Sequence, residues 1–284
     1  MKILVTGYNG QLGFDVVKEL KNRRIPCKGV DMADFDITDE AAVREYIKDY
    51  APDAVIHCAA FTAVDKAEEC RDICFRVNAL GTENIAKICA ETGAKIIYIS
   101  TDYVYGGKGD SPFETNCAAA PCNVYGESKL AGETAVKKHC VKYFIVRTSW
   151  VFGMNGNNFV KTMLRLSETH DQLNVVADQT GSPTYTPDLA KLLCDMVQSN
   201  KYGVYHASNE NYCSWYEFAC EIFRQAGKEV RVNPVTSAEY PCAAVRPLNS
   251  RLSKKCLDDS GFERLPEWQN ALERFLKEYL APQQ

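Results

Sequence analysis

The stretch "KILVTGYNGQLG" at residues 2–13 restricts this chain more than any other. An apolar run over residues 2–6 is stopped by Gly7, and Gly10 and Gly13 follow in a G-x-x-G-x-x-G pattern. A tight turn needs a residue without a Cβ. Close approach of backbone N–H groups to a pyrophosphate needs a second, and helix–strand packing needs the third. The helix that opens there offers a partial positive charge to an anion. Three glycines alone also fit an ordinary turn, so position decides. The loop joins a first strand to a first helix, and Asp31 ends a second strand 18 residues after Gly13. Together these predict a dinucleotide site on Gly7, Gly10 and Gly13. A carboxylate at Asp31 accepts a ribose 2′-hydroxyl and repels a 2′-phosphate, which argues for NADH. Arg23, Arg24 and Lys28 lie close in sequence and leave NADPH open. The other reading of Asp31 is a solvated strand end. Asp36 and Ile37 are placed to bracket an adenine, and "AAFTA" (59–63) lies on the loop after the third strand.

Strand and helix patterns alternate from there. Strands are expected at 26–31, 53–60, 95–100 and 142–153. Helices are expected at 12–22, 39–50, about 65–92 with a break near 70–73, and 122–139. Apolar strands without polar alternation are buried on both faces. The pattern predicts an α/β, Rossmann-like doubly wound parallel sheet. Beyond residue 153 the pattern loosens, with helices expected near 157–170, 187–199, 214–227 and 266–280 and strands at 173–178 and 203–208. The expected organisation is an NAD(P)-binding domain over 1–153 and a smaller C-terminal substrate-binding lobe over 154–284, partly interleaved with the first.

Composition excludes several classes. The net charge is −4 with no basic stripe, so nucleic acid is not an expected partner. No apolar run approaches the roughly 18 residues that span a bilayer, so no membrane is expected either. Thirteen cysteines are scattered without a Cys-x-x-Cys pair or zinc spacing, and they read as free thiols acting as small hydrophobes. No metal is expected. An odd cysteine count, and a Met1 that runs straight into "KILVTG", point to a cytoplasmic protein.

The reactive residues fall in "STDYVYGGKGDSPFETNCAAAPCNVYGESKLAGE" (100–133). Tyr125 and Lys129 are four apart on a predicted helix and share a face. A Y-x-x-x-K pair alone also describes a surface tyrosine beside a solvated lysine. Here a nucleotide loop precedes it, and a strand ends in Ser100–Thr101 upstream. A phenol titrates near pH 10, too high for easy proton exchange at neutral pH. An ammonium beside it, with a nicotinamide cation nearby, is expected to lower that pKa. Thr101 offers a second hydrogen bond to a substrate oxygen, which makes a carbonyl/alcohol redox site.

With "AAFTAVDKAE", "STDYVYGG", "NVYGESKLAGE", "RTSWVFG", "GNNFVKTMLRL" and "RPLNSRL" added to the glycine loop, the chain resembles the dTDP-4-dehydrorhamnose reductase family of extended short-chain dehydrogenases/reductases over nearly its whole length. The resemblance implies NADH- or NADPH-dependent reduction of the 4-keto group of a dTDP-sugar by a monomer or homodimer. It implies that Tyr125 donates the proton with Lys129 as its partner, that Thr101 holds the keto oxygen and that Asp102 touches the substrate. It places Gly10, Gln11 and Leu12 on the cofactor, Ala60, Phe61 and Thr62 by the nicotinamide, and Trp150 beside the sugar. Asn158, Lys161 and Arg246 would serve the diphosphate. Trp150 could equally pack a strand end, and Arg246 could equally form a surface ion pair. Some members of the family dimerise through magnesium held by glutamates, one of them where this chain has Asp15. Dehydratases of the superfamily follow the threonine with Asp-Glu, whereas here Asp102 precedes Tyr103. Rival readings are a reductase or epimerase of another nucleotide sugar, and a non-catalytic NADP-binding subunit like that of methionine adenosyltransferase.

Overall fold

The computed structural model describes residues 1–281. From the N-terminus, β1 (Ile3–Thr6), α1 (Gln11–Asn22), β2 (Cys27–Val30), α2 (Glu40–Tyr50) and β3 (Ala54–His57) alternate. Next come α3 (Val64–Glu69), α4 (Arg71–Phe75), a π-helical turn at Arg76–Gly81, and α5 (Thr82–Thr92). Then follow β4 (Lys95–Thr101), α6 (Val124–His139), β5 (Tyr143–Thr148), β6 (Val151–Phe152), α7 (Phe159–Leu166), β7 (Gln172–Val176), β8 (Thr180–Gly181), β9 (Thr184–Tyr185) and α8 (Thr186–Gln198). The chain closes with β10 (Gly203–His206), β11 (Cys213–Ser214), α9 (Trp215–Ala226), β12 (Arg231–Val235), α10 (Lys255–Asp259) and α11 (Trp268–Tyr279).

Six parallel strands form one sheet in the order β10-β5-β4-β3-β1-β2. Successive side chains on a strand face opposite sides. Ile3, Val5, Ile56, Ile97, Phe144 and Val146 therefore pack under α1 and α8. Leu4, Val55, Ile96, Tyr98 and Ile145 pack under α2, α5 and α6. Each fully buried aliphatic side chain contributes roughly 1.5–3 kcal/mol, so both faces must be covered. This is the doubly wound α/β architecture. The strand order reverses between β1 and β3, which opens a crevice at the carboxyl ends of the strands.

Three expectations need correction in detail. The strand over 142–153 is two strands, because Trp150 sits at φ 47° and breaks the ladder. β6 then pairs with β9, outside the main sheet. The helix over 65–92 breaks at Cys70 as expected, but a π-helical turn that was not expected interrupts it again. Beyond residue 153, β12 was not anticipated, since "RVNPV" carries a proline; it pairs in parallel with β7. α8 lies against α1 and β10 extends the main sheet, so the second half of the chain completes the first core. A separate core of Phe152, Val160, Phe218, Leu272 and Phe275 supports the other side of the crevice.

Candidate active site

The glycine loop owes its shape to contact as well as to flexibility. Gly7 has φ 69°, and a Cβ there would lie 2.6 Å from the Ala59 backbone nitrogen. The loop is thus pressed onto the segment that follows β3. Asp31 closes the far end, where its Oδ2 accepts the Asn9 N–H at 2.9 Å and its Oδ1 the Met32 N–H at 2.8 Å. Between these anchors runs a cleft of about 730 Å³. Its walls include Gly7, Gly10, Gln11, Leu12, Gly13, Asp31, Asp36, Ile37, Ala60 and Thr62 at one end and Thr101, Asp102, Tyr125, Lys129 and Trp150 at the other. A cradle that a Cβ would fill, a carboxylate at the ribose end and this volume fit a nicotinamide dinucleotide.

The reactive end is built by β4 and α6. Asn123 caps α6 by accepting the Gly126 N–H at 2.8 Å. Gly132 lets the helix come close, since a Cβ there would lie 2.3 Å from the Tyr98 hydroxyl oxygen. That hydroxyl donates to the Lys129 carbonyl at 3.2 Å. The Thr101 hydroxyl, at the end of β4, donates to Asp102 Oδ1 at 3.0 Å and accepts the Tyr103 N–H at 3.2 Å. Burial pushes the Asp102 carboxyl up to about 6, against the lowering effect of the nearby Ser250 and Thr101 hydroxyls. Burial also raises the Tyr125 phenol, and the Asp102 charge adds to it, while Thr101 opposes it. The sequence argument expected a lowered phenol; with the site in this form desolvation prevails, and Tyr125 holds its proton. Lys129 is 2% exposed, and its ammonium lies 4.2 Å from the centre of the Tyr98 ring. Burial lowers it to about 7, opposed chiefly by Glu133.

Other expected site residues stand elsewhere. Phe61 is held by its backbone: Asn78 Oδ1 accepts its N–H at 2.8 Å and Asn78 Nδ2 donates to its carbonyl at 3.0 Å. Asn158 caps α7 by accepting the Lys161 N–H and donates to Gln11 Oε1 at 3.0 Å, so it braces the glycine loop. The Lys161 ammonium is bound to the carbonyls of Met154 and Gly156 at 2.6 and 2.8 Å. Arg246 forms a two-point ion pair with Asp65. Asp15 is buried with its Oδ2 accepting the Thr186 hydroxyl at 2.5 Å.

Sequence reasoning missed Asn78 and Trp215. Asn78 also donates to Ser128 Oγ at 2.9 Å, tying the loop after β3 to α6. Its partners are 17 and 50 residues away, so no local spacing signals it. Trp215 opens α9 and stacks on Trp150 at 3.7 Å between ring centres, lining the cleft from the second lobe. The S-x-x-E capping box at Ser214–Glu217 marks the helix start but not the ring's destination.

A crevice of dinucleotide size on a doubly wound sheet, with Thr101, Tyr125 and Lys129 lining one end, is the arrangement of a nicotinamide-dependent oxidoreductase. Residues 1–281 match the family described as RmlD substrate binding domain. The chain belongs to this family, that of the dTDP-4-dehydrorhamnose reductases. It is 39% identical to the dTDP-4-dehydrorhamnose reductase of Escherichia coli K12, covering 98% of each chain. It is 40% identical to the spore coat polysaccharide biosynthesis protein SpsK of Bacillus subtilis, covering 98% of this chain and 97% of that one. The crystal structure of dTDP-4-dehydrorhamnose reductase from Bacillus anthracis in complex with NADP superposes with a TM-score of 0.95 at 44% identity, covering 98% of this chain and all of that one.

Proposed function

We propose that this chain reduces the 4-keto group of dTDP-4-dehydro-L-rhamnose to give dTDP-L-rhamnose, using NADH or NADPH. The observation that carries this reading is the convergence of Thr101, Tyr125 and Lys129 at one end of a cleft whose other end is the glycine loop and Asp31. A bound reduced nicotinamide would supply the hydride to the carbonyl carbon. As negative charge gathers on the substrate oxygen, Thr101 turns its hydroxyl from Asp102 to that oxygen and Tyr125 donates a second hydrogen bond. Tyr125 then gives up the proton that its buried setting has kept on it. Lys129 stabilises the phenolate left behind. Trp150, backed by Trp215, forms an apolar wall for the sugar. The absence of a glutamate after Asp102 counts against dehydration, which needs its own acid and base.

The protein is read as a cytoplasmic enzyme acting as a monomer or homodimer, with a dTDP-sugar as its partner. Among the described residues no helix is long and apolar enough to cross a membrane. The test is oxidation of NADH and of NADPH by the purified chain against a panel of 4-keto nucleotide sugars, with product stereochemistry read by NMR. Turnover of dTDP-4-dehydro-L-rhamnose to the rhamno product is expected. Turnover only of another sugar would replace the substrate, and epimerisation without net cofactor oxidation would replace the reaction.

A further inference from the structure

Beneath the reactive end lies a buried charged pair that the reaction as described does not use. Glu133 sits on α6 one turn beyond Lys129 and is 0% exposed; Arg147, on β5, is 3% exposed. Arg147 donates from Nε to Glu133 Oε1 at 2.8 Å and from Nη2 to Oε2 at 2.6 Å. Glu133 Oε1 also accepts the hydroxyl of Ser100 at 2.7 Å, and Ser100 immediately precedes Thr101. On its far side Arg147 donates to the Tyr105 hydroxyl at 2.5 Å and the Thr115 carbonyl at 3.2 Å. The Tyr105 hydroxyl meets His206 Nε2 at 2.8 Å, and His206 Nδ1 meets the Ser253 carbonyl at 3.1 Å. One carboxylate therefore joins β4, α6 and β5 within a turn of both halves of the site.

A pair buried this deeply is a poor source of net stability. Desolvating both ions offsets most of their attraction, and an apolar pair of similar volume often does as well. What it supplies is fixed geometry and an oriented charge. We propose that Glu133 is a positioning residue of the reductase site: clamped by Arg147 and tied to Ser100, it sets the distance from Thr101 to the Tyr125–Lys129 face of α6 and places a counter-charge one helical turn from Lys129. The proposal rests on the reading of Tyr125 and Lys129 given above.

The surroundings of Lys129 make this counter-charge matter. His57 from β3 bonds Thr6 and Thr82, and burial holds it neutral, down to about 3. Cys58 after β3 is pushed up to about 12, and Cys74 on α4 is raised too, so both remain thiols at neutral pH. Tyr98 from β4 and Tyr125 on α6 are likewise raised. That leaves Glu133 as the anion that most favours the charged ammonium. Removing its charge also strips Arg147 of compensation, and an unbalanced cation would then lower Lys129 further.

The test combines Glu133→Gln, Arg147→Lys and Ser100→Ala. For each, kcat and KM are measured across pH, and NADPH affinity across pH is followed by fluorescence. Glu133→Gln should lower kcat at least tenfold with KM changed less than threefold. It should also move the alkaline fall of both kcat and NADPH affinity by about one unit toward acid. Arg147→Lys keeps the charge, so kcat should fall while the alkaline limb stays in place. Ser100→Ala cuts one tie without stranding a charge, and should lower kcat severalfold in a protein of wild-type fold. If Glu133→Gln and Ser100→Ala fold and keep the wild-type kcat and pH limb while the parent turns over substrate, the proposal is overturned. If Glu133→Gln does not fold, a wild-type kcat in Ser100→Ala overturns it alone. A parent that binds NADPH but reduces no 4-keto sugar would instead sink the proposed reaction.

Discussion

Arg246 and Asp65 meet guanidinium to carboxylate, at 3.1 and 2.6 Å. Asp65 lies on α3 of the nucleotide-binding half, and its Oδ1 also accepts the Ala244 N–H at 3.1 Å. The carbonyl of Val245, one residue before Arg246, accepts Asn123 Nδ2 at 2.8 Å. The segment bearing Arg246 is thus tied both to α3 and to the cap of the catalytic helix. A substrate diphosphate could draw Arg246 away from Asp65, because an arginine binds phosphate in the same two-point fashion. Arg246→Ala should then raise KM for the dTDP-sugar about tenfold, the equivalent of ~1.4 kcal/mol. NADPH affinity should hold, and Asp65→Asn should leave KM equal or lower. Steady-state kinetics on both variants decides the matter: an equal rise in KM in the two would reduce the pair to a structural tie.

Tyr125→Phe removes the only proton that the phenol can give and little else, since the ring keeps its edge contact with Tyr103 at 5.9 Å. A positioned general acid is worth roughly a hundredfold to ten-thousandfold. We expect kcat to drop within that range while NADPH binding, read by fluorescence titration, stays within twofold. Wild-type turnover in this variant would remove Tyr125 from the chemistry.

Much of this site could be read before the fold was known, and the reason is local spacing. The glycine loop and the Tyr125–Lys129 pair are each set by one turn and one helix, so their geometry follows from the chain itself. The alternation that gave the doubly wound sheet is local in the same way. Trp150 shows the limit. Its strand looked continuous to residue 153, but the left-handed backbone at φ 47° answers to packing on Trp215, 65 residues away. Asn158 and Lys161 show another limit, because an amide or ammonium near a loop can serve carbonyls as readily as a ligand. Glu133 and Arg147 were invisible as a pair, since only the neighbouring of β5 and α6 joins them.

Asp31 links cofactor choice to loop shape. Its Oδ2 already fixes the Asn9 N–H, so Asp31→Ala should weaken both cofactors by loosening the loop. Losing the carboxylate also removes repulsion toward a 2′-phosphate. The ratio of NADH to NADPH affinity should therefore fall severalfold, as isothermal titration with each cofactor would show. An unchanged ratio would take Asp31 out of the ribose site.

Asp102 is 3% exposed, and among the described residues its Oδ2 has no hydrogen-bond partner. Its carboxyl stands at about 6 in the fold, raised first by burial, whereas an unfolded aspartate titrates near 3.9. The folded state thus binds the proton more tightly than the unfolded one. Between about pH 4 and pH 6 stability must fall as pH rises, and the loss is complete above that window. A shift of this size corresponds to ~3 kcal/mol. Asp102→Asn keeps the shape and abolishes the titration. It should raise the melting temperature at pH 7.5 and raise it much less at pH 4.5, where most of the loss has yet to occur. At the same time it should lower reductase activity, because Thr101 loses the carboxylate that orients its hydroxyl. Equal melting shifts at the two pH values would show that the buried charge is not the source of the cost.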